Sequence, residues 1–231
     1  MLCLPLMIKA QTFVKAENDT TVMSEYNDGR IWAYRQLGDF VVGMTNYVDK
    51  DDYGKYYRIV VFIKNLGNSS VTFEPEKITS VIYNKNNDTI PLNVYSYDVY
   101  MKRVNQTQTL SMALLGVSAG FNASQAGYQT TYTTTFGANN VPYTQIHTTY
   151  NYAAASAANM AATTQMMTLR KLMEDDRNTK SQGYLKITTI HPDEGIIGYM
   201  NIKHKKGQSM TVYIPVGGQV YSFDWDVTKK K

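Results

Sequence analysis

The residues best suited to bind a metal or move a proton near neutral pH are three histidines, His147, His191 and His204, set in three separate neighbourhoods of a 231-residue chain. No HExxH pair and no Cys/His cluster accompanies them, so a zinc site is not expected. His191 precedes Pro192 and reads as an exposed turn residue. Cys3 is the single cysteine, which excludes a disulfide framework and a thiol pair, and it lacks the small residues that would precede a lipidated cysteine. In DKDDYGK, Asp49, Asp51 and Gly54 imitate the start of a calcium loop. Such a loop needs an acid or amide at its fifth position and Glu at its twelfth, where this chain has Tyr53 and Val60. The stretch is therefore read as a charged hairpin loop.

The remaining carboxylates give no acid/base pair. Glu74 and Glu76 straddle Pro75, and Asp193 and Glu194 share a turn, so solvated surface is the expectation for both. No GxSxG elbow, Walker loop or GxGxxG follows a strand, and Gly217-Gly218 is a two-residue hairpin signal. Glycosylation-type triplets begin at Asn18, Asn68, Asn87, Asn105 and Asn122, a short pattern that recurs by chance in an Asn/Thr-rich chain. The expectation is a protein that is not an enzyme, with no catalytic residues, no metal and no cofactor.

What elements carry these residues? Hydrophobic residues make up 43% of the chain and charged residues 18%, enough apolar content for a core. The 19 tyrosines favour sheet, where a ring packs on a pleated, half-buried surface. The formal net charge of +4 is concentrated in HKK at 204 to 206 and in the basic tail at 229 to 231, with no basic stripe among stacking aromatics, so no nucleic-acid partner is expected.

The opening MLCLPLMIKAQT has an apolar run too short to span a bilayer, and residues 1 to 10 read as the end of a signal peptide with cleavage after Ala10, although the usual basic residues before the apolar run are missing. From Arg30 to Val94, IWAYRQL, DFVVGMTNYV, YYRIVVFIKN, SVTF, KITSVIYN and IPLNV are strand segments separated by Gly, Asn, Asp and Pro clusters. Tyr56 to Asn65 reads as a central strand buried on both faces, and Pro91 and Pro215 suit edges or bulges. The same grammar returns after Gly183 in YLKITTI, IIGYMNIK, MTVYIPV and VYSFDWDV. Short strands without helix alternation predict a mainly β fold, an antiparallel Ig-like β-sandwich whose halves, residues 11 to 95 and 183 to 228, pair to close one core.

Residues 96 to 182 interrupt that pattern. A Ser96 cap precedes Tyr97, Tyr100, Met101, Val104, Leu114, Leu115 and Val117 at helical intervals, and AAASAANMAATTQMMTLRKLMEDD forms a second helical stretch. The reading is an inserted helix, β-hairpin and helix. Gly116 and Gly120 lie four apart in the first helix, and Ala154, Ala158 and Ala162 repeat the interval in the second. Helical Gly costs about 1 kcal/mol against Ala, which close approach of another backbone would explain. That backbone belongs either to the companion helix or to another subunit.

Between the helices, YQTTYTTTFGANNVPYTQIHTTYNY predicts strands over 128 to 136 and 143 to 152 around GANNVP. Period-two sorting puts Tyr128, Tyr132 and Phe136 on one face of the first strand, and Ile146, Tyr150 and Tyr152 on one face of the second, with no charged residue in either. A two-stranded hairpin is marginal alone. Its aromatic face could be covered by the protein's own helices or sheets, by other copies of the hairpin, or by lipid. Nine or ten residues match a tilted membrane-spanning strand, but one hairpin has unsatisfied edges and would have to join an oligomeric barrel.

The C-terminal run YLKITTIHPDEGIIGYMNIKHKKGQSMTVYIPVGGQVYSFDW resembles the closing strands of uncharacterised exported bacterial β-sandwich proteins, in which a Pro/Gly turn precedes strands and a final aromatic strand. The resemblance implies export and a sandwich, and it brings no activity or site residues. Together these readings predict an extracytoplasmic protein (periplasmic, outer-membrane associated or at the cell surface). Its 96 to 182 insertion would mediate homo-oligomerisation or docking to an envelope or outer-membrane partner. The contact residues would be Tyr128, Tyr132, Phe136, Ile146, Tyr150, Tyr152, Gly116, Gly120, Ala154 and Ala158. The alternatives are a ring whose hairpins contact the membrane as a transmembrane β-barrel pore, and a monomeric sandwich that binds a glycan or peptide through its loops.

Overall fold

The computed structural model describes residues 12–14, 21–27, 29–86, 88–136 and 142–228. The signal-peptide end at 1 to 10, the basic tail at 229 to 231 and most of the GANNVP loop lie outside them. In chain order the strands before the first long helix are β1 (Thr12–Phe13), β2 (Val22–Asn27), β3 (Arg30–Leu37), β4 (Phe40–Asp51), β5 (Gly54–Asn65), β6 (Val71–Phe73), β7 (Thr79–Tyr83), β8 (Thr89–Leu92) and β9 (Val94–Tyr95). Then come α1 (Tyr97–Ala126), β10 (Tyr128–Phe136), β11 (Pro142–Tyr150) and α2 (Tyr152–Ser181). The chain closes with β12 (Thr188–Ile190), β13 (Gly195–Lys203), β14 (Ser209–Val216) and β15 (Gln219–Asp226).

The fold is mainly β and its sheets are antiparallel, as the strand grammar predicts. One sheet runs β2-β3-β4-β5-β13-β9 and another β1-β15-β14-β7-β8, with β12-β6 and β10-β11 as two-stranded pairs. Strands from the two ends of the sequence pair with each other in both large sheets: β13 pairs with β5, opposing Met200 to Ile59, and β14 pairs with β7, opposing Met210 to Ile82. Each large sheet buries one face, with Val42, Met44, Ile59, Val61, Ile63 and Ile202 on one and Met210, Val212, Ile214, Tyr221, Phe223 and Trp225 on the other. The Tyr221 hydroxyl donates to the carbonyls of Leu37 (2.7 Å) and Phe40 (3.2 Å), so the last strand also grips the β3-β4 turn.

Several local expectations need correction. β5 is central, but only its Tyr57, Ile59, Val61 and Ile63 face is fully buried, because Arg58 and Lys64 hold the opposite face half-open to water. IPLNV divides at Asn93, where the chain passes from β8 in one sheet to β9 in the other. In YLKITTI only Thr188–Ile190 forms a ladder strand, while Tyr184 makes an isolated bridge to Tyr199. β1 and β2 precede the first expected strand; β2 is polar and largely exposed at the sheet edge, which hides its periodicity. Pro91 lies on edge strand β8, and Pro215 lies beyond the reach of β7, so neither breaks a ladder on that side. Gly217 and Gly218 take φ of +58° and +80°, the left-handed pair that a two-residue hairpin needs, and the Phe40 ring fills the space where a Gly217 side chain would start.

The chain divides into two compact units. One comprises Met1–Arg103 with Lys180–Lys231, and the other Val104–Thr179.

Candidate assembly surface

In the first unit, the β4-β5 turn makes Asp51 an anchor. Its Oδ1 accepts the backbone N–H groups of Tyr53 (2.9 Å) and Gly54 (3.0 Å), an arrangement that closes the turn. Its Oδ2 accepts the Tyr100 hydroxyl at 2.9 Å and the Lys180 ammonium at 3.1 Å, with both charged side chains 15% exposed. Burial works to raise the Asp51 pKa, but the bonds from Lys180, Tyr53 and Tyr100 outweigh it and hold the carboxyl below its ordinary value. Burial, reinforced by the Asp51 charge, raises the Tyr100 pKa, so that hydroxyl stays a donor. Around this point Tyr100 stacks on Tyr184 with centroids 5.2 Å apart, and the Tyr199 hydroxyl donates to the Lys180 carbonyl at 2.5 Å. One carboxylate thus fixes the two places where the chain leaves and rejoins this unit. Asp49, its neighbour in the failed calcium pattern, pairs with Arg58 at 2.6 Å.

The second unit is built differently. α1 and α2 run antiparallel: Arg177 Nη1 donates to Asn105 Oδ1 (3.2 Å), Gln108 Nε2 to the Met173 carbonyl (2.9 Å), and Met166 Cε comes 3.1 Å from where a Gly116 side chain would begin. The residues turned inward mix small, polar and apolar side chains. On α1 they include Val104, Gln108, Met112, Gly116, Ala119 and Ala123, and on α2 Ala155, Ala158, Ala162, Met166, Leu169 and Met173, in steps of three and four. Many large apolar side chains nevertheless point outward. Leu114 is 64% exposed, Val117 75%, Phe121 65%, Met160 70% and Met167 67%, with Leu110, Leu115 and Leu172 also exposed. A water-soluble helical pair arranges these the other way round.

Several hydroxyls on the same helices bond back to their own backbone. Ser118 donates to the Leu115 carbonyl (3.0 Å), Ser124 to Phe121 (2.7 Å), Thr163 to Asn159 (2.9 Å) and Thr164 to Met160 (3.0 Å). Such back-bonding lowers the cost of taking the surface out of water. A groove along α2, lined by Tyr150, Tyr152, Ser156, Asn159, Met160, Thr163, Thr164 and Met167, offers small side chains between two methionines.

At Gly127 the chain enters the hairpin, closed by the Asn151 N–H to the Gly127 carbonyl at 2.7 Å. The register opposes Tyr128 to Tyr150, Tyr132 to Ile146 and Phe136 to Pro142, so Tyr128, Tyr132, Phe136, Ile146 and Tyr150 share one face. Tyr132, Phe136 and Ile146 are about two-thirds exposed, at 67%, 67% and 64%. The four threonines on that face bond in pairs, Thr130 with Thr148 (3.4 Å) and Thr134 with Thr144 (3.2 Å). The opposite face carries Gln129, Thr131, Thr133, Thr135, Gln145, His147 and Thr149.

Of the expected contact residues, the five hairpin side chains from Tyr128 to Tyr150 come together. Tyr152 does not belong to the strand, since β11 ends at Tyr150 and Tyr152 is the first residue of α2, where Asn151 Oδ1 caps the Ala154 N–H at 3.1 Å, but its ring packs edge-on against Tyr150 with centroids 4.8 Å apart. Gly116, Ala154 and Ala158 are half-buried, whereas a side chain at Gly120 would meet nothing within 4 Å. The sequence reading missed the Asp51, Tyr100 and Lys180 anchor, because Asp51 reads locally as a loop charge. It also missed a signal in plain view: from Val104 to Leu169 there is no Asp, Glu, Lys or Arg, and all 23 basic and 19 acidic residues lie elsewhere. Comparison with known protein families, with curated proteins and with solved structures gives no match.

Proposed function

We propose that this chain is a non-enzymatic envelope protein, an exported Ig-like sandwich carrying an inserted helix–hairpin–helix, and that the insertion assembles copies of the chain into a homo-oligomer. The observation that carries this reading is the second unit's charge-free tract from Val104 to Leu169, which turns Leu114, Val117, Phe121, Met160 and Met167 to the outside. Soluble monomers rarely expose contiguous apolar patches beyond a few hundred Å². Full burial of a Leu, Phe or Met side chain contributes about 1.5–3 kcal/mol, so covering five of them offsets a substantial part of an association cost of about 4–15 kcal/mol.

The α1 ridge and the α2 groove are complementary: large branched and aromatic side chains face a trough of Ser, Asn and Thr. α1 leads into β10 and α2 follows β11, so ridge-into-groove docking is head-to-tail, an arrangement that closes into a ring when the rotation permits. Changing Leu114 and Val117 together to Asp tests this. The double variant is expected to keep the sheet content and thermal transition of the first unit while its mass in light scattering falls to that of one chain. An unchanged oligomer would show that α1 is not the contact.

A further inference from the structure

We infer that the hairpins of the assembled ring enter a lipid bilayer and close edge to edge into a membrane-spanning β-barrel whose lumen is lined by the threonine face. This rests on the assembly reading, since among the described residues β10 and β11 form a two-stranded sheet in which each presents one unpaired edge, which another copy's hairpin would satisfy inside hydrocarbon. The alternation fits. One face carries Tyr128, Tyr132, Phe136, Ile146 and Tyr150, and the other is polar and uncharged, the apolar-out and polar-in period of barrel strands. The length fits as well. Both strands have 9 residues, about 30 Å of extended chain, which at a tilt of about 45° spans roughly 21 Å of an apolar band about 25 Å tall.

Aromatic rings mark both ends of the outward face, Tyr128 and Tyr150 at one and Phe136 at the other, where interfacial girdles sit. The threonines that would otherwise weaken this face bond to each other across the strands, so their hydroxyls do not enter hydrocarbon unpaired. Nor do the helices compete for the role, because no helix among the described residues is long and apolar enough to cross a membrane. Each copy contributes two antiparallel strands, so the barrel has an even number. About eight copies would reach the strand count, about 16, at which barrels of this kind leave a water-filled channel.

The test uses the full chain with vesicles of phosphatidylethanolamine and phosphatidylglycerol, read by flotation, and planar bilayers of the same lipids, read by conductance. The wild type is expected to float with the vesicles and to conduct in discrete steps. Ile146→Lys, on the outward face, is expected to lower the vesicle-bound fraction about tenfold while the helices still hold the oligomer together. Thr133→Lys, on the inward face, is expected to insert and conduct with its selectivity shifted towards anions. A wild-type oligomer that neither floats nor conducts overturns this inference and leaves the assembly reading standing. A wild-type monomer overturns both. Conductance whose selectivity ignores Thr133→Lys overturns the assignment of the threonine face to the lumen.

Discussion

At the residue scale the first unit depends on Asp51. Its carboxylate holds two backbone amides, Tyr100 and Lys180 at once, and removing its charge takes the opposite charge at 3.1 Å away from an ammonium whose side chain is only 15% exposed. Asp51→Asn is expected to cost about 2–3 kcal/mol in urea unfolding, less than a fully buried pair because the site is partly open to water. The same group sets a pH dependence. Because the folded-state pKa is depressed, the stability it contributes is present above the ordinary carboxylate value of 3.8 and is lost as pH falls through that value towards the folded one. Urea midpoints measured from pH 7 down to pH 3 should therefore fall less steeply in Asp51→Asn than in the wild type. Equal slopes would remove Asp51 from the account.

At the element scale the two glycines of α1 separate. Gly116 faces Met166, so Gly116→Leu must force extra carbons between the helices and is expected to lose about 1–3 kcal/mol. Gly120 has open space around it, and Gly120→Ala should gain up to about 1 kcal/mol from helix propensity. Denaturant midpoints of the two variants in dilute solution check both signs, and a loss at Gly120 would reveal a backbone neighbour from another copy. Strand positions were legible because Val, Ile, Tyr and Phe alternate between turn residues, and the faces of β10 and β11 were legible because a two-residue period needs no knowledge of what lies above the strand. Helix orientation was not. Leu114, Leu115 and Val117 recur at helical intervals whichever way the stripe points, and periodicity alone cannot say that these three turn outward while Gly116, Ala119 and Ala123 turn inward.

At the scale of the whole molecule, charge is partitioned along the chain. The unit built from both ends carries the charged residues of its sheets, and the tract from Val104 to Leu169 carries none, where a random stretch at 18% would hold about a dozen. No local motif reports such a partition, because it is a property of the whole tract. The long-range clamp at Asp51 was equally hidden, since its partners Tyr100 and Lys180 lie 49 and 129 positions away. A charge-free surface studded with Leu, Phe and Met does not stay in water when another such surface is within reach. The most direct measurement is the mass of the purified full chain by light scattering, in plain buffer and again in mild detergent. The account predicts a multiple of 26.1 kDa, with detergent needed to keep it dispersed; a particle of 26.1 kDa in both solutions would contradict it.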